Sequence, residues 1–209
     1  MSDPIDFYFD FGSPYGYFAS LRIDELAAKH GRTVIWHPVL LGAIFKVTGM
    51  KPNLEQPLRG EYLTQDVGRI ARLTGAPFTF PDSAPANGVA ASRAFYWLAD
   101  EHPEQAKLLA RAIYHAHFGE GQDIGPADTV AEIAAKTLGS LGIDRAAVTA
   151  AIQDPAVKDP AVKDRLRSEV DDAVERGVFG SPFFIVDGEP FWGWDRLDMV
   201  DRWLATGGW

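Results

Sequence analysis

The sequence has no cysteine at any of its 209 positions. That excludes a disulfide framework, a cysteine-ligated metal, and thiol–disulfide exchange by the protein's own side chains. No apolar run reaches the roughly 20 residues a membrane-spanning helix needs. The start, Met1-Ser2-Asp3-Pro4-Ile5-Asp6, is acidic where a secretory signal has a basic flank and an apolar core. The chain therefore reads as soluble and cytoplasmic. Excess positive charge is also lacking: 20 Lys+Arg stand against 29 Asp+Glu, a formal charge of −9, with both signs mixed along the chain. A nucleic-acid backbone is a poor partner for that surface, and an anionic small molecule would need a locally basic pocket. No metal-ligand spacing, phosphate-binding glycine loop or Ser-His-Asp grouping occurs, and His115 and His117, two apart on a helical pattern, point to different faces, so no metal is expected.

With 46% hydrophobic residues, the chain is long enough to bury one substantial core. Residues 5–11 predict a strand, and 14–30 a helix with Phe18, Leu21 and Leu26 turned inward. Ser13 is placed as its N-cap and Pro14 at its first position. Residues 33–39 predict a second strand and close a β-α-β unit. From about 40 to 176 the pattern is helical, with segments near 60–75, 88–101, 103–118, 126–139, 143–153 and 160–176. Two short strands then flank the Asp187-Gly188 turn, at 182–186 and 189–192, and a helix follows over 195–205. This order is that of an α/β, thioredoxin-like domain (1–40 and 177–209) with a large all-helical insertion (41–176). The repeat Asp154-Pro155-Ala156-Val157-Lys158, Asp159-Pro160-Ala161-Val162-Lys163 is too short for a solenoid and reads as a duplication lengthening a surface turn.

Ser13 is the first candidate for chemistry. A helix start favours a thiolate, carboxylate or phosphate beside it, and without cysteine any thiolate held there belongs to a ligand. Taken alone, Ser13 is fully accounted for as a cap. Gly180-Ser181-Pro182-Phe183 supplies a second element, because a proline opening a strand cannot donate to the ladder. Tyr15, Tyr17, Phe45, Tyr62 and Phe78 together suit an apolar slot, although core packing is the first reading of each taken separately. Lys46 or Lys51 suits a substrate carboxylate. His37 reads as hydrogen-bonded structure, and Arg93 as one side of an ion pair.

Phe9-Asp10-Phe11-Gly12-Ser13-Pro14-Tyr15, Asn87 with Arg93-Ala94, Gly177-Val178-Phe179-Gly180-Ser181-Pro182-Phe183-Phe184, and Trp192-Gly193-Trp194-Asp195-Arg196-Leu197 together resemble the 2-hydroxychromene-2-carboxylate isomerases. These are relatives of the kappa-class glutathione transferases, on the scaffold of the bacterial disulfide oxidoreductases. The resemblance implies a cis Pro182 and glutathione as cofactor, its thiolate activated by Ser13. It further implies that the main chain of Ser181 before Pro182 meets the cysteinyl part of that ligand, and that Trp194 and Asp195 face its γ-glutamyl end. Asp195 equally suits an N-cap. The chain departs from the family at Met50, where an asparagine is usual; Asn53 lies three residues on, and Arg59 stands near a family lysine. Tyr15, Phe45, Lys46 and Tyr62 would line the substrate pocket. The implied activity interconverts 2-hydroxychromene-2-carboxylate and trans-o-hydroxybenzylidenepyruvate, a small aromatic carboxylate, in a homodimer. A kappa-type transferase and a non-catalytic thioredoxin-like binding module are the alternatives.

Overall fold

The computed structural model describes residues 3–153 and 160–209. Ile5, Phe7, Tyr8 and Phe9 make β1 (Ile5–Phe9) an almost continuous apolar strand, as expected where both faces are covered. It pairs in parallel with β2 (Val34–Pro38), Phe7 opposite Trp36. On its other side it pairs antiparallel with β3 (Phe183–Val186), which pairs antiparallel with β4 (Glu189–Trp192). The sheet order is β2-β1-β3-β4. Phe7 stacks on Phe9 and Phe184, with Trp36 edge-on to both Phe7 and Phe9. The β3–β4 turn has Asp187 and Gly188 both at positive φ, 54° and 85°, which the primed hairpin turns demand.

The helix expected over 14–30 is two helices, α1 (Pro14–Ser20) and α2 (Ile23–Lys29). The Ser20 hydroxyl donates to the Tyr17 carbonyl at 2.6 Å, a back-bond of the kind that bends helices, and the Arg22 N–H then reaches the carbonyl of Ala19, three residues back, at 3.0 Å. Leu21, expected inward, sits at the break and is 45% exposed, whereas Phe18 and Leu26 are buried.

Between β2 and β3 the described residues are helical: α3 (Leu41–Thr48), α4 (Arg59–Thr74), α5 (Val89–Ala99), α6 (Pro103–Tyr114), α7 (Ala127–Leu138), α8 (Arg145–Gln153) and α9 (Pro160–Glu175). The tandem repeat lies outside the described residues except for the backbone that opens α9. The helix expected to run to 118 changes at Tyr114 into a π-helical turn, His115–Gly119. His117 is buried there with Nδ1 2.8 Å from the Gln122 carbonyl, and His115 faces Glu120. Arg93 donates to the Ile152 carbonyl at 3.4 Å and has no ion-pair partner among the described residues, in place of the expected pair.

The helical block joins the sheet through buried polar contacts. Tyr96 donates to the Pro38 carbonyl at 2.8 Å and Tyr114 to the Asp10 carbonyl at 2.9 Å. His37 on β2 bridges Asp6 of β1 and Glu169 of α9. After β4, a 3-10 turn (Trp194–Arg196) leads into α10 (Leu197–Thr206). The architecture is a thioredoxin-like sheet carrying a large helical insertion. Among the described residues no helix is long and apolar enough to cross a membrane.

Candidate active site

β1 stops at Phe9 because the next residue turns its carboxyl onto its own loop: Asp10 Oδ1 accepts the N–H of Gly12 at 2.7 Å. Ser13 then caps α1, its Oγ accepting the N–H of Gly16 at 3.1 Å. The same hydroxyl donates to the Ser181 carbonyl at 3.0 Å. Ser181 returns the contact from across the sheet, its Oγ accepting the N–H of Asp10 at 2.9 Å. The Ser181–Pro182 peptide is cis, as expected, and so is Ala84–Pro85, which was not foreseen. Ser13 and Ser181 are both buried. The packing beneath them requires glycine: a Cβ on Gly16 would lie 2.5 Å from the Tyr114 phenol oxygen and 3.0 Å from Ser181 Oγ.

These groups form one end of a cavity of about 760 Å³. Its remaining walls come from α3, the segment after it, α4, and the turn between β4 and α10. The structure brings Ser13, Tyr15, Phe45, Asn53, Arg59, Tyr62, Ser181, Pro182, Trp194 and Asp195 to this cavity. Lys46 is not among them. It follows Phe45 on α3, about 100° further round the helix, and is exposed to solvent; Lys51 lines the cavity instead. Tyr17 and Phe78 belong to the core, Tyr17 donating to the Pro77 carbonyl and Phe78 stacked between Phe18 and Phe118. Asp195 does not cap α10, whose N-cap is Arg196 with no side-chain bond. It lies beside Arg196, 3.4 Å away, and folds against Gly193.

Three cations, Lys51, Arg59 and Arg196, line the cavity with Asp10, Asp66 and Asp195. Tyr15 donates to Asp66 at 2.9 Å; burial, reinforced by that carboxylate, pushes its phenol pKa up. Asp66 stands one helical turn beyond Tyr62, a spacing that puts both on one face of α4, so its place was open to a helical-wheel reading. Asp10 and Arg196 were quoted in the motifs without a role. Burial pushes the Asp10 carboxyl pKa up, against the pull of the Leu41 and Gly12 N–H groups. Trp192 reaches the cavity because Gly180 has no side chain, a Cβ there falling 2.2 Å from the indole nitrogen. Among the described residues no group of His, Asp and Glu could hold a metal ion.

The polar end of the cavity presents free backbone donors. Of the first-turn donors of α1, Pro14 has none and Gly16 is taken by Ser13 Oγ, leaving Tyr15 N–H without a partner among the described residues. Ser181 N–H is in the same position. α1 spans seven residues, so the local donors rather than a long helix dipole would hold an anion here.

The DSBA-like thioredoxin domain family matches residues 4–205. A 2-hydroxychromene-2-carboxylate isomerase of Pseudomonas putida is 32% identical over 199 residues, 94% of this chain and 92% of that protein. Glutathione S-transferase kappa 1 of Rattus norvegicus is 22% identical over 215 residues, covering 96% and 92%. A solved 2-hydroxychromene-2-carboxylate isomerase structure superposes with a TM-score of 0.83 at 29% identity, covering 98% of this chain and 95% of that one. With the cavity, the paired serines and the sheet order in place, the chain belongs to the DSBA-like thioredoxin domain family and, within it, to the 2-hydroxychromene-2-carboxylate isomerases.

Proposed function

We propose that this enzyme binds glutathione at the Ser13 end of the cavity and isomerises a small unsaturated aromatic carboxylate of the 2-hydroxychromene-2-carboxylate type. The observation that carries the reading is the Ser13–Ser181 contact at the floor of a cavity in a protein without cysteine. The Ser13 hydroxyl proton is held by the Ser181 carbonyl. A ligand peptide N–H at that carbonyl would take its place, freeing the hydroxyl to turn and donate to a sulfur, while Ser181 N–H meets the ligand's own carbonyl. Ligand docking and thiolate stabilisation are thereby one exchange of hydrogen bonds. When bound, glutathione supplies a thiol that adds reversibly across the substrate's double bond, permitting rotation before elimination restores it.

Asn53, Arg59, Trp194 and Asp195 would hold the ligand's polar ends, and of the two lysines offered for a substrate carboxylate, Lys51, which lines the cavity, takes the part rather than Lys46. Tyr15, Phe45 and Tyr62 form the apolar wall that excludes water from the thiolate. In this reading residues 41–176 are the inserted unit, which supplies Phe45 and Tyr62 to that wall, and the protein works as a cytoplasmic homodimer. The glutathione-named rat relative supports the cofactor.

The test is to add glutathione to purified protein and follow chromene absorbance. Glutathione-dependent interconversion without consumption of glutathione supports the isomerase. A stable glutathione conjugate, found by mass spectrometry, would instead make it a transferase. The absence of any glutathione-dependent change refutes both.

A further inference from the structure

Asp10 lies in the cavity wall with its carboxyl buried, yet the thiol chemistry above makes no use of it. Its two oxygens serve different elements. Oδ1 accepts the N–H of Gly12 at 2.7 Å, and Oδ2 accepts the N–H of Leu41 at 2.7 Å. Gly12 directly precedes Ser13. Leu41 opens α3, whose own N-cap, Leu40, makes no side-chain capping bond, so Asp10 caps that helix from another part of the chain. The main chain of Asp10 is equally committed: its N–H goes to Ser181 Oγ, and its carbonyl receives the Ser13 N–H at 2.8 Å and the Tyr114 phenol at 2.9 Å. No cation pairs with the carboxyl among the described residues. A buried carboxyl held by two backbone donors and no counter-ion is costly to keep. It is therefore a poor choice for packing alone.

We propose that Asp10 is a positioning residue, which clamps the Gly12–Ser13 turn to the start of α3 and thereby sets the Ser13 hydroxyl against the Leu41–Phe45 wall of the cavity. The proposal rests on the reading of Ser13 as the group that holds the thiol. Each oxygen fixes one side of the cleft: the Gly12 arm holds the Ser13 hydroxyl, whose displacement by an ångström costs on the order of 100-fold in rate, and the Leu41 arm holds the wall against which the substrate lies.

Two variants separate the clamp's arms. Asp10→Asn keeps the shape but turns an amide N–H₂ toward one backbone donor and leaves only a neutral, weaker acceptor for the other, so both arms loosen. Leu41→Pro removes the α3 donor together with the leucine side chain of the cavity wall, so Leu41→Ala, which keeps the N–H, is its control; proline is accepted at the first helical position, and Leu40, at φ −108° and ψ 100°, already has the extended conformation required before it. Asp10→Asn is expected to lower kcat about tenfold or more, and Leu41→Pro to raise substrate KM about fivefold over Leu41→Ala with kcat nearly kept. In a Ser13→Ala background, Asp10→Asn should cost less than about twofold further, because no hydroxyl remains to be positioned. Equal loss in both backgrounds, or unchanged kcat in Asp10→Asn, overturns the proposal. If Asp10→Asn fails to fold, Leu41→Pro against its Leu41→Ala control decides alone, and equal kinetic constants in the two overturn the clamp.

Amide hydrogen exchange supplies a readout independent of turnover. Gly12 exchange should rise about tenfold in Asp10→Asn, the equivalent of one lost buried bond, and stay unchanged in Leu41→Pro. Wild-type protein without glutathione-dependent turnover would sink the reading of Ser13, while unaltered Gly12 exchange in Asp10→Asn sinks the clamp.

Discussion

Replacing Ser13 with alanine separates chemistry from folding, because one hydroxyl serves both. In the free protein it accepts the Gly16 N–H and donates to the Ser181 carbonyl. Loss of the cap costs about 1 kcal/mol, and the buried carbonyl left without a donor about 1–2 kcal/mol more. Against the roughly 5–15 kcal/mol that holds a typical domain together, the variant stays folded. Its Tm should fall by roughly 4–12 °C, at about 2–4 °C per kcal/mol for a chain of this size. The effect on turnover is separate. A donor aimed at a charged sulfur contributes to every step in which that charge is present, and removing one such donor costs about 100-fold or more in kcat. The bound thiol should also titrate at higher pH, returning toward the unperturbed value of about 8.5. Three measurements decide it: thermal melting, kcat at saturating glutathione, and the pH midpoint of thiolate ultraviolet absorbance in the complex. A variant with reduced Tm but unchanged kcat and midpoint would show Ser13 to be a cap alone, and would refute the mechanism.

Charge placement gives a second prediction. Lys51→Ala should raise KM for the carboxylate substrate about tenfold, the equivalent of one charge-assisted bond, whereas Lys46→Ala leaves it unchanged; steady-state kinetics compare the two. Gly16→Ala drives a methyl into the Tyr114 phenol and Ser181 Oγ, so urea unfolding should register a loss of about 1–3 kcal/mol, and calorimetry weaker glutathione binding. A final prediction concerns pH. Burial lowers the His37 pKa, but hydrogen bonds and charge from Asp6 and Glu169 outweigh it and the net shift is upward. Burial likewise raises both carboxyls, and their bonds to His37 and to Arg176 or Arg165 bring them below their ordinary values. The imidazolium contribution is thus complete below pH about 6.5 and lost as pH rises through the raised value; that of the carboxylates is present above their ordinary range and lost in acid. Urea midpoints should therefore fall from pH 6 to pH 9 in wild type, with the drop flattened in His37→Gln; an identical drop in both would refute it.

Period and punctuation made most elements legible. The apolar, aromatic run at 5–9, the Ser13-Pro14 start and the Asp187-Gly188 turn are local signals, and the structure has them within a residue or two of the expected positions. α3 carried no such mark, because its N-terminal N–H is satisfied by Asp10 from thirty-one positions away, and no window along the chain contains that bond. The break at Leu21 was hidden for a different reason: a serine inside a helical pattern does not reveal whether its hydroxyl will take a backbone carbonyl. At the site, the motif residues Ser13, Ser181, Trp194 and Asp195 were legible as sequence, and Lys46 and Lys51 as two open alternatives. Which lysine faces the cavity depended on the phase of an unmarked helix.

By itself, the sequence determined the chemistry this protein cannot perform and the types of side chain it holds in reserve: the absence of cysteine rules out its own thiol, and Ser13 before Pro14 is a local helix-start signal. Only the tertiary structure decided that Ser13 donates to the Ser181 carbonyl, that Asp10 joins their loop to α3, and that Lys51 rather than Lys46 faces the cavity. The physical reason is range. Capping, turns and periodicity act over a few residues and are written in order along the chain, whereas a hydrogen bond between residues 13 and 181 exists only once β1 and β3 lie side by side in one sheet.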